Sequence, residues 1–114
     1  MTRASTARLL DIVAACDAIA RHLSRGDADD EIVFDAIRVR LIEIGEAVKD
    51  LNSSVTAAEP GIPWADVTRM RDHLAHRHFD TTHAIVDATA RKDIPLLRKA
   101  AQRLLAASGD ADEV

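Results

Sequence analysis

The sequence predicts an all-α fold, a single-domain helical bundle of about five helices, and three observations carry that expectation. Nearly half of the 114 residues are apolar, yet the apolar set is Ala, Leu, Ile and Val, with two Phe, one Trp and no Tyr. Small aliphatic side chains let helices approach closely and do not favour a sheet. The apolar residues recur at three- and four-residue intervals, the period of a helix with one buried face. Gly, Pro and Asx clusters punctuate the chain at helix-length spacings.

In the first segment Leu9, Ile12, Val13, Cys16, Ile19, Ala20 and Leu23 form a stripe, and Gly26 comes after it as a stop. The acidic turn Asp27-Ala28-Asp29-Asp30 offers an N-cap to a second helix, long and central, with the stripe Val33, Ile37, Leu41, Ile44, Val48 and Leu51. Residues 52 to 63 contain Asn52, Ser53, Ser54, Pro60, Gly61 and Pro63 and read as loop. A third helix starts near Trp64, buries Val67, Met70, Leu74 and also Phe79, and stops around Asp80-Thr81-Thr82, residues suited to cap the next helix. A weaker helical pattern runs from His83 to Lys92, and Asp93 with Pro95 marks a fresh helix start. The last helix carries Leu97, Ala100, Ala101, Leu104 and Leu105. The helical domain is expected over 1–107, with a disordered acidic tail at 108–114.

Charge and cysteine content narrow the function classes. A formal net charge of −4 argues against indiscriminate coating of nucleic acid, which relies on Lys and Arg neutralising phosphates, so any RNA contact must be local. The N-terminal stretch lacks the pattern of a signal peptide, and charged residues interrupt every helical segment too often for a membrane span. The lone Cys16 has no disulfide partner within the chain, which fits a reducing, cytoplasmic compartment.

One stretch is unusual. Residues 69 to 83 hold four of the five histidines and three arginines: Arg69, Arg71, His73, His76, Arg77, His78 and His83. Asp72 and His76, four apart, share a helical face, so Asp72 can orient His76. Histidine is suited to proton exchange near neutral pH, and Arg71 presents a planar donor fork for phosphate. Together they suit RNA transesterification without a metal: His76 takes the 2′-hydroxyl proton and Arg71 stabilises the phosphorane. Arg71 and His76 lie about 140° apart on an ideal helix, so they diverge within one subunit. Either a twofold dimer brings Arg and His of two third helices into one cleft, or the helix ends before His76. His78, seven residues from Arg71 and on nearly the same face, is a further proton-transfer candidate.

The segment Met70-Arg71-Asp72-His73-Leu74-Ala75-His76-Arg77-His78 resembles the "MRN-x-L-x-H-x-Y" motif of the HepT-like group of HEPN-domain proteins. Ile44-Gly45-Glu46-Ala47 matches the group's "IGEA" segment and Ile62-Pro63-Trp64 its "P-W" helix start, in the expected order. The resemblance implies a HEPN-like helical bundle, a homodimer, acting as the ribonuclease toxin of a toxin–antitoxin pair whose antitoxin is a minimal nucleotidyltransferase. It assigns catalytic roles to Arg71 and His76, with Asp72 at the polar position after the Arg. His78 stands where the group usually has the Tyr that an antitoxin can modify with AMP. It either transfers protons or only fills that space.

Blander readings stand beside this one. Arg71 can be an ordinary exposed Arg and His76 a helix-ending His that meets the C-terminal dipole. His73, His76 and His78 invite a metal site, but no acidic or thiolate ligand sits at a characteristic spacing, so no metal or cofactor is expected. Gly45 reads as a close-packing point, Glu46 as a polar residue needing a partner near the cleft, and Trp64 as the anchor of the third helix. The functional alternatives to a ribonuclease are a non-catalytic helical module, binding a nucleotide or a partner nucleotidyltransferase, and a purely structural dimerisation bundle.

Overall fold

A computed structural model describes residues 1–27, 29–77 and 82–112, with the side chains of 77 and 109–112 outside that description. Helix α1 spans Arg3–Leu23, α2 Glu31–Lys49, α3 Ser53–Ala57, α4 Trp64–Arg77, α5 His83–Ala88 and α6 Ile94–Asp112, with a π-helical turn at Thr89–Asp93 between the last two. Among the described residues there is no strand, as the aliphatic composition and helical periodicity require. Helix α2 is the hub: it packs on α1, α4 and α5, and α6 lies against α1.

Local sequence accounts for the helix starts. The Thr2 side chain accepts from Ser5 N–H at 3.1 Å, and Asp30 Oδ1 accepts from Ile32 and Val33, which caps the otherwise orphaned N–H groups of α1 and α2. Thr82, one of the residues expected to cap, accepts from Ile85 N–H at the start of α5. The stripe residues Val33, Ile37, Leu41, Ile44 and Val48 of α2 are buried, and so are Leu51 just beyond it, Leu9, Ile12, Cys16 and Ile19 of α1 and Leu74 of α4. Val67, Met70 and Trp64 are partly buried against the same core. Ala20 departs from the expected stripe and is exposed, because it lies at the edge of α1's buried arc.

One expectation about element boundaries needs correction. The stretch 52–63 is not loop throughout: Ser53–Ala57 forms one helical turn that buries Val55. Helix α6 does start at Ile94, directly after Asp93 and with Pro95 in its first turn, as those two residues predict. A wide turn at 89–93 joins α5 to α6 without an intervening loop, and in it Ile94 N–H reaches back five residues to the Thr89 carbonyl. A proline inside an α-helix clashes with the carbonyl four residues back and donates nothing. The wide turn just before Pro95 loosens that carbonyl row, so helical backbone continues from α5 into α6. The inserted residue also keeps Val86 and Ala90 on the face that buries Ile94, Leu97 and Ala101.

Helix α6 is assigned through Asp112, five residues beyond the boundary expected at 107, and Ser108 is buried. His78, Phe79, Asp80 and Thr81, and residues 113–114, lie outside the described residues. No described helix is long and apolar enough to cross a membrane.

Candidate functional site

The site is built where α4 crosses α2. Arg71 rests on Gly45: a Cβ added there would overlap the Arg71 Cβ and come within 2.7 Å of its Cγ. Only a residue without a side chain lets the two helices approach this closely at that point. The Arg71 side chain is consequently 22% exposed, with its stem covered and its guanidinium at the surface.

Two carboxylates hold that guanidinium. Nη2 donates to Glu46 Oε1 and Nη1 to Asp72 Oδ1, each at 2.9 Å. The bond from Glu46 first, and that from Asp72 second, raise the pKa of Arg71 above its ordinary value, so the group stays a cation under all ordinary conditions. Nε is buried and without a hydrogen-bond partner. An arginine has five N–H donors. With one used by each carboxylate and Nε–H covered, one hydrogen on each terminal nitrogen remains for a ligand.

Helix α4 runs through Arg77, so the idea that it ends before His76 is overturned. Arg71 and His76 share one helix and lie about 140° apart around it, pointing to different faces. His76 is exposed on the last turn, and His73 is exposed as well. Arg38 of α2 meets this end of α4, donating from Nη1 to the Leu74 carbonyl at 3.2 Å. The bond ties the last turn of α4 to α2.

Several residues do not sit where spacing placed them. The Asp72 carboxylate turns to Arg71 rather than to His76, because the adjacent guanidinium is permanently charged and gives a charge-assisted hydrogen bond. His83 leaves the cluster altogether: its ring packs on buried Phe34 of α2 with centroids 4.1 Å apart. His78, expected as a lower-ranked catalytic group, falls outside the described residues. Among the described residues no three His, Cys, Asp or Glu side chains gather closely enough to hold a metal ion. Glu46 is the site member whose specific role spacing missed. Its need for a polar partner was legible, but the identity of that partner, 25 residues away, was not.

Trp64 fixes the start of α4, as expected of it, by donating from Nε1 to the Glu59 carbonyl at 3.0 Å. The Glu59 carboxylate in turn pairs with Arg103 of α6. The loop before α4 is therefore tied to two elements, which sets the angle at which Arg71 reaches Gly45.

Comparison with known proteins bears on the chain as a whole. The family described as "Ribonuclease HepT-like" matches residues 9–104. The chain is 32% identical over 101 residues to "Putative RNase MJ0125" of Methanocaldococcus jannaschii, covering 85% of this chain and 87% of that protein. It is 31% identical over 99 residues to "Putative RNase TTE0752" of Caldanaerobacter subterraneus subsp. tengcongensis, covering 82% and 88%. With "Probable ribonuclease HepT" of Thermococcus cleftensis it shares 36% identity over 76 residues, 67% of this chain and 68% of that one. No solved structure gives a significant match. On the extent of the family match and the length-wide similarity to these relatives, the chain belongs to the HepT-like ribonuclease family.

Proposed function

We propose that this protein is a metal-independent endoribonuclease, the toxin of a toxin–antitoxin pair, acting in the cytoplasm as a homodimer. The observation that carries the reading is an arginine held in place by two carboxylates and a glycine, on the same helix as an exposed His76, in a chain of a ribonuclease family. His76 takes the proton of a ribose 2′-hydroxyl, and the 2′-oxygen bonds to the adjacent phosphorus. Arg71 neutralises the charge that grows on the phosphorane. The bond from phosphorus to the 5′-oxygen then breaks, leaving a cyclic phosphate and, after proton return, a 5′-hydroxyl. Because Arg71 and His76 diverge on one straight helix, a twofold axis that sets two α4 helices side by side supplies the working pair.

The partner in this reading is a minimal nucleotidyltransferase antitoxin. The chain has no tyrosine, so that partner cannot act through tyrosine modification here and neutralises by sequestration or at another acceptor.

Incubation of the purified protein with total or transfer RNA in EDTA tests the proposal. Cleavage that is lost in both His76→Ala and Arg71→Ala is the expected result. Binding of RNA or nucleotide without cleavage assigns the non-catalytic module instead, and unchanged cleavage in both variants removes these residues from the mechanism.

A further inference from the structure

The five N–H groups of Arg71 do not position themselves. A free arginine side chain has several rotatable bonds, and ordering it costs on the order of 2 kcal/mol of rotamer entropy. Three contacts do the ordering here: Gly45 beneath the stem, Asp72 at Nη1 and Glu46 at Nη2. They are not equivalent. Asp72 is the next residue on α4 and moves with Arg71, so its bond sets only the local shape of the side chain. Glu46 belongs to α2, and its bond alone among the two fixes the guanidinium against a different element of the fold.

Among the described residues Glu46 makes no other side-chain hydrogen bond or ion pair. Its side chain is 57% exposed and lines an open groove between α1 and α2 along with Ala15, Ala18, Arg8, Arg21 and Arg40. It is therefore not there to fill the core. Electrostatics makes its presence more specific. Two carboxylates around one guanidinium leave a net charge of −1, which opposes an incoming phosphate. A residue that disfavours ground-state binding beside a phosphate-handling arginine is accounted for if it is worth more in the transition state.

We propose that Glu46 is a positioning residue for Arg71, fixing the plane of the guanidinium so that its remaining terminal hydrogens meet the phosphorane without reorganisation. The inference rests on the ribonuclease reading above. Its kinetic signature differs from that of a binding or a structural residue: removing Glu46 lowers kcat, because the arginine must be ordered anew in each turnover, and does not raise KM, because a repelling charge has gone.

The test is steady-state cleavage of a defined RNA oligonucleotide in EDTA by the full-length wild type, Glu46→Ala and Glu46→Gln. The expected result is a kcat about tenfold or more lower in Glu46→Ala with KM unchanged or reduced. Glu46→Gln, whose amide oxygen still accepts from Nη2, regains kcat to within a few-fold of wild type. A raised KM at constant kcat, a faster Glu46→Ala, or a Glu46→Gln as slow as Glu46→Ala overturns the proposal. Side-chain nitrogen NMR reads the same contact without activity. The Arg71 guanidinium shows hindered rotation, with separate terminal N–H signals, in wild type and Glu46→Gln, and these merge in Glu46→Ala. Signals that are the same in all three overturn the positioning role. A wild type with hindered Arg71 signals but no RNA cleavage refutes the ribonuclease reading while leaving the contact with Glu46 established.

Discussion

Arg71 crosses α2 directly above Gly45, with no room for a Cβ between them. The overlap is with the Cβ of Arg71, next to the backbone, so a flexible side-chain end cannot swing away to relieve it. Gly45→Ala should lower stability by about 1–3 kcal/mol, the usual cost of overpacking, and should displace Arg71 from Glu46. Denaturant unfolding with the slope compared to wild type measures the first effect, and RNA cleavage at a temperature where the variant stays folded measures the second. A fully active, equally stable Gly45→Ala would show that the crossing can shift freely.

Arg71→Lys preserves the charge but not the fork. An ammonium is a compact point charge and cannot bridge Glu46 and Asp72 while presenting a further planar pair of donors. The cleavage rate is expected to fall roughly 100-fold or more. A lysine variant within a few-fold of wild type would mean that charge alone suffices at this position.

Arg38 donates to the Leu74 carbonyl and so supports the end of α4 that carries His76. Arg38→Ala removes a charged donor from the Leu74 carbonyl and should lower stability by about 1–2 kcal/mol. Amide hydrogen exchange in residues 74–77 should rise more than in α1. Uniform acceleration across the chain would instead point to a global effect.

Burial, and next the charge of Asp17, push the Cys16 thiol up to about 12 from 9.0. The folded chain thus binds the thiol proton more tightly than the unfolded one. The resulting stability is whole below pH 9.0 and is lost progressively as pH rises towards about 12. The melting temperature of wild type should drop more steeply across that alkaline range than that of Cys16→Ala. Alkylation of Cys16 should be slow in the native protein at about pH 8.5 and fast in denaturant; equal rates would contradict its burial.

The hydrogen bond from Arg103 holds the Glu59 carboxyl below its usual 4.5. Here the sign is reversed: the stabilisation is present above pH 4.5 and is lost as pH falls through the lower folded value. Arg103→Ala should flatten the acid side of the stability profile while changing little at neutral pH beyond the loss of the pair itself. Melting temperatures of both proteins between about pH 6 and pH 3 measure this.

Much of this molecule was legible in its sequence, because the signals are local. The stripe from Val33 to Leu51 predicted six buried residues and all six are buried. Thr82 and Asp30 cap the helices they precede, and the P-W start of α4 lies at Trp64. Such features depend on the roughly 3.6-residue helical period and on a side chain bonding a backbone group two or three positions away. The motifs around Gly45 and Arg71 likewise pointed to the right family.

Tertiary structure decided the rest. Asp93 and Pro95 mark the start of α6 locally, but the wide turn at 89–93 that joins α5 to it without a loop depends on burying Val86 and Ala90 together with Ile94 and Leu97. His83 belongs by position to the histidine cluster but stacks on Phe34, a residue 49 positions earlier in the chain. The seat of Arg71, made of Gly45 and Glu46, exists only because α2 and α4 cross at that point. Spacing along one helix fixes which side chains share its face, whereas which distant residue meets them depends on how the helices pack. For that reason the sequence identified Arg71 as the residue of interest, and only the fold revealed what holds it.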